Sequence, residues 1–134
     1  AIGAYETALA YARERVQFGV PIVEHQAVRF TLARMATELA AARTLTRHAA
    51  ALSERSPEAG RLASEAKLYA SEAANRACFD ALQIHGGNGF SEEYEIARLY
   101  RDVRAMTILD GASETQRLAV AADLLRPLGI VTAP

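Results

Sequence analysis

Tryptophan is absent from this 134-residue chain, cysteine occurs once, and aromatic residues make up only 7% of it. A single thiol, Cys78, cannot form an internal disulfide or a metal-binding pair of cysteines. Basic and acidic residues number 15 and 16, a formal net charge of -1, so the chain lacks the basic excess of a nucleic-acid or anionic-membrane binder. We therefore expect no nucleic-acid partner and no membrane partner.

Long apolar runs are also missing. No window of 18 or more uninterrupted apolar residues occurs, and the opening stretch AIGAYETALAYARERV mixes acids and bases, unlike a signal peptide. We expect a soluble, cytoplasmic protein. The chain begins without a methionine and within a helical pattern, which suggests processing or a piece of a longer polypeptide. Its length suits one domain, residues 1–134, with a single core.

Alanine supplies much of the 51% of residues that are hydrophobic, a composition that favours closely packed helices. In the first segment an apolar stripe recurs every three or four residues at Ile2, Tyr5, Leu9, Ala12 and Val16, which predicts a helix ending at about Gln17. A second helix is predicted from about Glu24 to Ser53, because apolar residues from Val28 to Ala49 alternate at spacings of four and three. Such spacing also allows an oligomeric coiled coil.

Three further helices follow. Small residues from Leu62 to Ala81 predict a third long helix from about Glu58 to Ile84, which another helix can approach closely. Ser91 is expected to cap a short helix through YEIARLYRDV, and SETQ after Gly111 matches a capping box that opens a last helix to about Arg126. No period-two run predicts a strand. The predicted fold is all-α, an antiparallel up-and-down four-helix bundle with one additional short helix.

Metal and nucleophile sites find little support in the sequence. The three histidines, His25, His48 and His85, lie in different segments without HExxH spacing, so no metal site is predicted. No serine stands in a GxSxG elbow.

Two glycine-bearing stretches are candidates for ligand contact. HGGNGF, residues 85–90, either cradles a diphosphate or forms a tight corner between helices. RERVQFG, residues 13–19, ends a helix with an arginine and Phe18. The arginine is either solvated at the helix end or reaches a phosphate of a nucleotide cofactor.

ILDGASETQR, residues 108–117, holds the candidate catalytic acid. Asp110 either forms a turn by bonding backbone amides or, beside the apolar Ile108 and Leu109, abstracts a proton as a general base. The residues alone leave both open.

In order, the motifs RERVQFGVPI, AKLYASEAA, QIHGGNGF, YRD and LDGASETQR resemble the C-terminal domain of the acyl-CoA dehydrogenases, over Ile2 to about Leu125. The resemblance implies a three-domain flavoenzyme of which this chain is the last domain, after an N-terminal helical domain and a middle β domain. It also implies FAD as cofactor, an acyl-CoA substrate oxidised to a trans-2-enoyl-CoA, and electron-transfer flavoprotein as electron acceptor. A homo-oligomer, dimer or tetramer, is expected, and the isolated domain is expected to be inactive.

The resemblance also assigns residues. Asp110 falls at the position of the catalytic base. Positions that match cofactor contacts are Arg15, Phe18, His25, Gln26, Gln83, Gly86, Gly87, Ala112 and Glu114. Of these, Gln83, Gly86 and Gly87 correspond to contacts with the FAD of an adjacent subunit, and Ala112 and Glu114 to contacts with the subunit's own FAD. Arg117 matches a recurrent arginine with a structural role.

Two residues depart from the family pattern. Asp110 replaces the usual glutamate and is shorter by one methylene, and Ala112 replaces a threonine and lacks its hydroxyl. In some branches of the family the base lies instead in the helix before residue 1. These two residues suggest, as an alternative, a catalytically silent subunit of an acyl-CoA dehydrogenase-type complex. A relative of the acyl-CoA oxidases is a further alternative.

Overall fold

The computed structural model describes residues 1–52 and 56–130. Most of them form the helices α1 (Ile2–Glu14), α2 (Gln26–Ala51), α3 (Ala59–His85), α4 (Gly87–Phe90), α5 (Glu95–Arg104) and α6 (Ser113–Leu125). Single 3-10 turns cover Ile22–Glu24, Ala105–Thr107 and Arg126–Leu128. The prediction of an all-α fold is confirmed. The predicted end of the second helix at Ser53 lies outside the described residues.

Ion pairs between α2 and α3 show that these two long helices run antiparallel. Arg34 of α2 lies 2.9 Å from Asp80 of α3, and one turn further along α2 Glu38 lies 3.2 Å from Arg76. The residue numbers rise on one helix as they fall on the other. The carboxylate of Asp80 is largely buried, so the Arg34 contact compensates for its lost hydration.

The last helix, α6, runs antiparallel to the first half of α3. Arg117, near the start of α6, pairs with Glu72, and Asp123, near its end, lies 3.3 Å from Arg61. The ion pair of Arg117 with Glu72 holds α6 against α3, which is the structural role expected for this arginine.

The first helix, α1, covers the second half of α3 and runs parallel to it. The ring of Tyr11 stacks on His85 with centroids 4.4 Å apart, so the last turns of α1 and α3 are neighbours. With α2 antiparallel to both and α6 antiparallel to α3, the order is up, down, up, down, as predicted. The short helix α5 packs beside α3, where the Asn75 amide donates to the Val103 carbonyl at 3.0 Å.

Alanine forms the contact between α1 and α3. The fully buried residues of α1 are Ala4, Ala8 and Ala12. They belong to the same core cluster as Ala77, Cys78 and Ala81 of α3, which are also buried. The predicted stripe of α1 is wrong at its ends, since Ile2 and Val16 are exposed. Small side chains occupy the contact between α1 and α3, because they let the two helix backbones approach closely.

The chain between α1 and α2 corrects two predictions. α1 ends at Glu14 rather than Gln17, because Arg15 becomes extended and its carbonyl accepts from the Ile22 amide at 2.7 Å. A two-residue hairpin then joins β1 (Val16–Gln17) to β2 (Val20–Pro21), although no strand was predicted. Strands this short carry no period-two pattern, and the reversal depends on positive φ angles at Phe18 and Gly19.

Both predicted side-chain caps are wrong. Ala112, not Ser113, is the N-cap of α6, and α5 begins at Glu95 with Tyr94 as its N-cap. The Ser91 hydroxyl instead accepts from the Glu93 amide at 3.3 Å in the preceding turn. A serine caps a helix only when it is the residue directly before the first helical residue. Ser91 lies too far before α5, and Ser113 is already the first residue of α6.

None of the described helices combines the length and the apolar character that a membrane crossing requires.

Gly89 and Gly87 offer a matched test of packing in the turn after α3. A Cβ added at Gly89 would lie 2.6 Å from the Leu82 carbonyl oxygen and 2.9 Å from His85 Cβ, whereas one at Gly87 meets nothing within 4 Å. We expect Gly89→Ala to lower the free energy of unfolding by about 1–3 kcal/mol through steric strain. Gly87→Ala is expected to change it by less than about 0.5 kcal/mol. Urea denaturation followed by far-UV circular dichroism measures both, and equal losses would contradict the expectation.

Candidate functional site

Asp110 lies in the turn between the 3-10 turn Ala105–Thr107 and α6. Its φ is +52° and that of Gly111 is +88°, so two successive residues are left-handed. Aspartate tolerates this conformation better than most residues. Within residues 1–52 and 56–130, no hydrogen bond or ion pair engages the Asp110 carboxylate, and the side chain is exposed. The carboxylate is therefore not used to hold the turn.

Side chains from two helices hold this turn instead. The Lys67 ammonium of α3 donates to the Gly111 carbonyl at 2.6 Å. The Gln116 amide of α6 donates to the carbonyls of Asp110 and Gly111, each at 3.3 Å. The backbone on both sides of the Asp110–Gly111 peptide is thus tied to the bundle, while the carboxylate stays available.

An apolar groove of about 580 Å³ opens beside Asp110. Its other side is formed by α2 and α3, with the alanines Ala49, Ala50, Ala63, Ala66, Ala70 and Ala74. Met106 and Leu109 continue the apolar surface up to Asp110. The acid predicted as a base therefore stands at the edge of a mostly apolar surface, which suits the approach of an uncharged carbon centre.

A smaller cavity of about 250 Å³ lies at the start of α6, between Arg104, Ala112, Ser113, Glu114 and Arg117. It contains both predicted contacts of this region, Ala112 and Glu114. Ser113 is only 5% exposed, and its hydroxyl has no hydrogen-bond partner among the described residues. A buried hydroxyl without a partner is destabilising, so a ligand that bonds to it would remove a penalty already present.

The hairpin after α1 places a second group of predicted residues. Three of these residues are exposed: Arg15, Phe18 and Gln26. Phe18 is 87% exposed, and its backbone is left-handed, with a φ of +54°. The Phe18 ring stands edge-on to His25 with centroids 6.1 Å apart. The His25 Nε2 atom is buried without a hydrogen-bond partner in the described part of the chain.

The glycine turn after α3 lies at the same end of the bundle as the hairpin. Gln83, Gly86 and Gly87 are exposed there, and the φ of Gly86 is +59°. His85 is buried, its Nδ1 bonds to the Ala81 carbonyl at 2.7 Å, and its Nε2 has no partner among the described residues. Because the Tyr11–His85 stack joins α1 to α3 here, the two predicted cofactor segments are close neighbours.

The predicted site residues therefore form two groups. One comprises the hairpin and glycine turn near His85, and the other comprises Asp110, Ala112 and Glu114 near Lys67. Lys67 and His85 are 18 residues apart on α3, which is about 27 Å along the helix. A single subunit does not bring the two groups together.

The structure tests the fit of FAD through three buried polar atoms that lack partners. In the described residues these atoms are His25 Nε2, His85 Nε2 and Ser113 Oγ. Each belongs to a predicted contact or to a residue next to one. FAD carries many hydrogen-bonding groups in its phosphates, riboses and rings, and the residues present fit such a ligand.

Other reactive groups do not form a site. In the described ranges, the His, Cys, Asp and Glu side chains make no cluster of three or more suited to a metal ion. Burial raises the pKa of the Cys78 thiol, which keeps it protonated and unreactive at neutral pH.

Sequence reasoning missed Lys67 and Ser113. Ser113 was predicted as a cap, and its buried hydroxyl emerges only from the structure. Lys67 left a signal that was not used, because it is the one lysine among the 15 basic residues of the chain.

Residues 1–125 match the family described as acyl-CoA dehydrogenase, C-terminal domain. The chain is 46% identical over 124 residues to the caffeyl-CoA reductase-Etf complex subunit CarC of Acetobacterium woodii, covering 92% of this chain and 33% of that protein. It is 48% identical over 123 residues to the probable acyl-CoA dehydrogenase YngJ of Bacillus subtilis, covering 92% and 32%.

A solved structure with the same arrangement is butyryl-CoA dehydrogenase from Megasphaera elsdenii. The TM-score is 0.89 at 40% sequence identity, and the match covers 93% of this chain and 33% of that one. The chain thus spans about a third of the length of these relatives.

Ser113→Ala tests whether the unpartnered hydroxyl is kept for a ligand. Removing it eliminates a buried unsatisfied group, so we expect the free energy of unfolding of the chain to stay equal or rise by about 1 kcal/mol. Ser71 is the matched control, since it is also buried but its hydroxyl donates to the Leu68 carbonyl at 3.2 Å. Urea denaturation of both variants should show Ser113→Ala to be the more stable. In the FAD-loaded full-length protein, Ser113→Ala should weaken FAD retention, and unchanged retention would argue against a cofactor contact.

Proposed function

Since the chain belongs to the acyl-CoA dehydrogenase family, as a C-terminal domain, we propose that it is the FAD-binding helical domain of an oxidoreductase that introduces an α,β double bond into an acyl-CoA thioester. The chain spans about a third of its relatives, and we propose that an N-terminal helical domain and a middle β domain complete the enzyme. The cytoplasmic location expected from the sequence stays a prediction.

The single observation that carries the proposal is the position of Asp110. Its carboxylate stands unbonded at the edge of an apolar groove, while Lys67 and Gln116 hold the backbone beneath it. An aspartate that only forms a turn would accept hydrogen bonds from backbone amides with its carboxylate. A general base needs a free carboxylate on a fixed backbone.

Asp110 is proposed to remove the α-proton of the acyl-CoA thioester. The carboxylate oxygen gains that proton as the Cα–H bond breaks, and the β-hydrogen leaves as a hydride, so that a trans-2-enoyl-CoA results. FAD, when bound, supplies the chemistry that accepts the hydride.

The shorter side chain of Asp110 sets a requirement on geometry. Relative to glutamate the carboxylate reaches about 1.5 Å less far, and misplacement by ~1 Å can lower a rate about 100-fold. We propose that the backbone of this turn, rather than side-chain length, brings the carboxylate to the substrate.

Cofactor contacts are proposed for both groups of site residues. Ala112 and Glu114, with Ser113, would hold the FAD used by Asp110 of the same subunit. Gln83, Gly86 and Gly87 would contact the FAD of an adjacent subunit, and Arg15, Phe18, His25 and Gln26 would complete the cofactor contacts. The separation of about 27 Å along α3 supports this division. It favours a homo-oligomer, a dimer or tetramer, as the working form.

Asp110→Asn tests the base directly. The amide is isosteric with the carboxylate and cannot accept the α-proton, so we expect acyl-CoA-dependent flavin bleaching of the full-length protein to slow by about 10²–10⁴-fold. Asp110→Glu, which keeps a carboxylate, should bleach far faster than Asp110→Asn. Stopped-flow absorbance at the flavin maximum gives all three rates.

An Asp110→Asn protein that bleaches as fast as the unmodified one would show that the base lies elsewhere. A full-length protein that purifies without FAD and shows no bleaching, yet assembles with a glutamate-bearing relative, would instead identify a catalytically silent subunit. Asp110 and Ala112, the two departures from the family pattern, are what this second candidate rests on.

Electron-transfer flavoprotein is the proposed electron acceptor. Support comes from the Acetobacterium woodii relative, which is named as a subunit of a caffeyl-CoA reductase-Etf complex. We expect the reduced full-length protein to pass electrons to electron-transfer flavoprotein faster than to oxygen. Reduction of that flavoprotein and release of hydrogen peroxide, measured side by side, decide the point. Peroxide as the main product would identify an acyl-CoA oxidase relative.

A further inference from the structure

We propose that Lys67 is the positioning residue of the base: its ammonium fixes the Gly111 carbonyl and thereby sets where the Asp110 carboxylate stands. The inference rests on the proposed function, in which Asp110 removes a proton from the substrate. It adds a role for a residue of α3 that belongs to neither group of predicted cofactor contacts.

The turn that carries Asp110 needs support from outside itself. Asp110 and Gly111 are both left-handed, with φ of +52° and +88°. Two successive residues in this region do not continue any regular hydrogen-bonded element, and for aspartate the conformation is less favourable than the right-handed one. The conformation persists when surrounding groups determine it.

Lys67 supplies the shortest of the contacts that hold the turn. Its Nζ lies 2.6 Å from the Gly111 carbonyl oxygen, across 44 residues of sequence. The carbonyl belongs to the residue that directly follows Asp110, so the contact fixes the backbone immediately after the proposed base. A charged donor makes a stronger and shorter hydrogen bond than a neutral one.

The backbone of α3 that carries the Lys67 side chain is itself well fixed. Its helical neighbours Ala66 and Ser71 are buried, and ion pairs join α3 to α2 on one side and to α6 on the other. Through its hydrogen bond to Gly111, Lys67 therefore ties the turn to α3, which packs against α1, α2, α5 and α6. Gln116 contributes from α6, but its two contacts are longer, at 3.3 Å, and its amide is neutral.

The short side chain of Asp110 makes this support matter for rate. With one methylene fewer than glutamate, the base has fewer rotatable bonds with which to correct an error in the backbone. A displacement of ~1 Å is enough to cost about 100-fold in rate. Lys67 also lines the groove beside Asp110, so the test must separate an effect on proton removal from an effect on substrate binding.

The test uses the FAD-loaded full-length protein with three substitutions. Lys67→Met removes the donor and keeps the length of the side chain, and Lys67→Arg keeps a cationic donor. Arg98→Met is the control for loss of one positive charge, because Arg98 bonds only to Glu95 and Asp102 of its own helix among the described residues. Stopped-flow bleaching over a range of butyryl-CoA concentrations gives the limiting rate constant and the Kd separately.

We expect Lys67→Met to lower the limiting rate constant by about 10-fold to 100-fold with the butyryl-CoA Kd nearly unchanged. Lys67→Arg should recover most of the rate, and Arg98→Met should match the unmodified protein. An unchanged rate in Lys67→Met would overturn the proposal. So would a change confined to Kd, which would make Lys67 a substrate-binding residue.

A second measurement does not depend on activity. Amide hydrogen exchange over residues 108–113 should become faster in Lys67→Met while the melting temperature and FAD content stay close to those of the unmodified protein. Unchanged exchange would overturn the positioning role even if the rate fell. If bleaching is insensitive to Asp110→Asn, the proposed function fails. If bleaching depends on Asp110 but both rate and exchange ignore Lys67→Met, only this inference fails.

Discussion

Close contact between small side chains along α3 is the constraint on which the rest of the structure depends. Ala77, Cys78 and Ala81 are buried almost completely, in the same core cluster as the alanines of α1. Larger side chains on this face would push the neighbouring helices outward, because a packed core absorbs added volume only by moving backbone. The same helix carries ion pairs to α2 and α6, so α3 sets the positions of the other long helices.

The candidate site inherits its geometry from that helix. Lys67 reaches from the first half of α3 to the Gly111 carbonyl, and His85 ends α3 beside the hairpin and the glycine turn. The two groups of site residues are therefore held apart by a rigid helix rather than by a loop. A helix provides a more reproducible distance than a loop, which suits the proposed division of the cofactor contacts between subunits.

Much of the fold was predictable because helix period, glycine and proline are local signals. The bounds of α3 came within one residue, at Ala59 and His85, and the up-and-down order was correct. The hairpin at Val16–Pro21 escaped prediction because strands of two residues have no period. The serine caps at Ser91 and Ser113 were wrong because a capping motif states a preference, while the preceding turn decides where the first helical residue falls.

For the site, the sequence alone determined which residue types stand in order along the chain: the acid before a glycine at Asp110, the glycine pair after His85, and the arginine and phenylalanine at the exit of α1. These depend on short spacings, which the chain itself carries. Only the tertiary structure decided that the Asp110 carboxylate is left free while Lys67 holds the adjacent carbonyl, and that the Ser113 hydroxyl is buried without a partner. Such facts depend on contacts between residues more than 40 positions apart or on burial, and packing of the helices creates both.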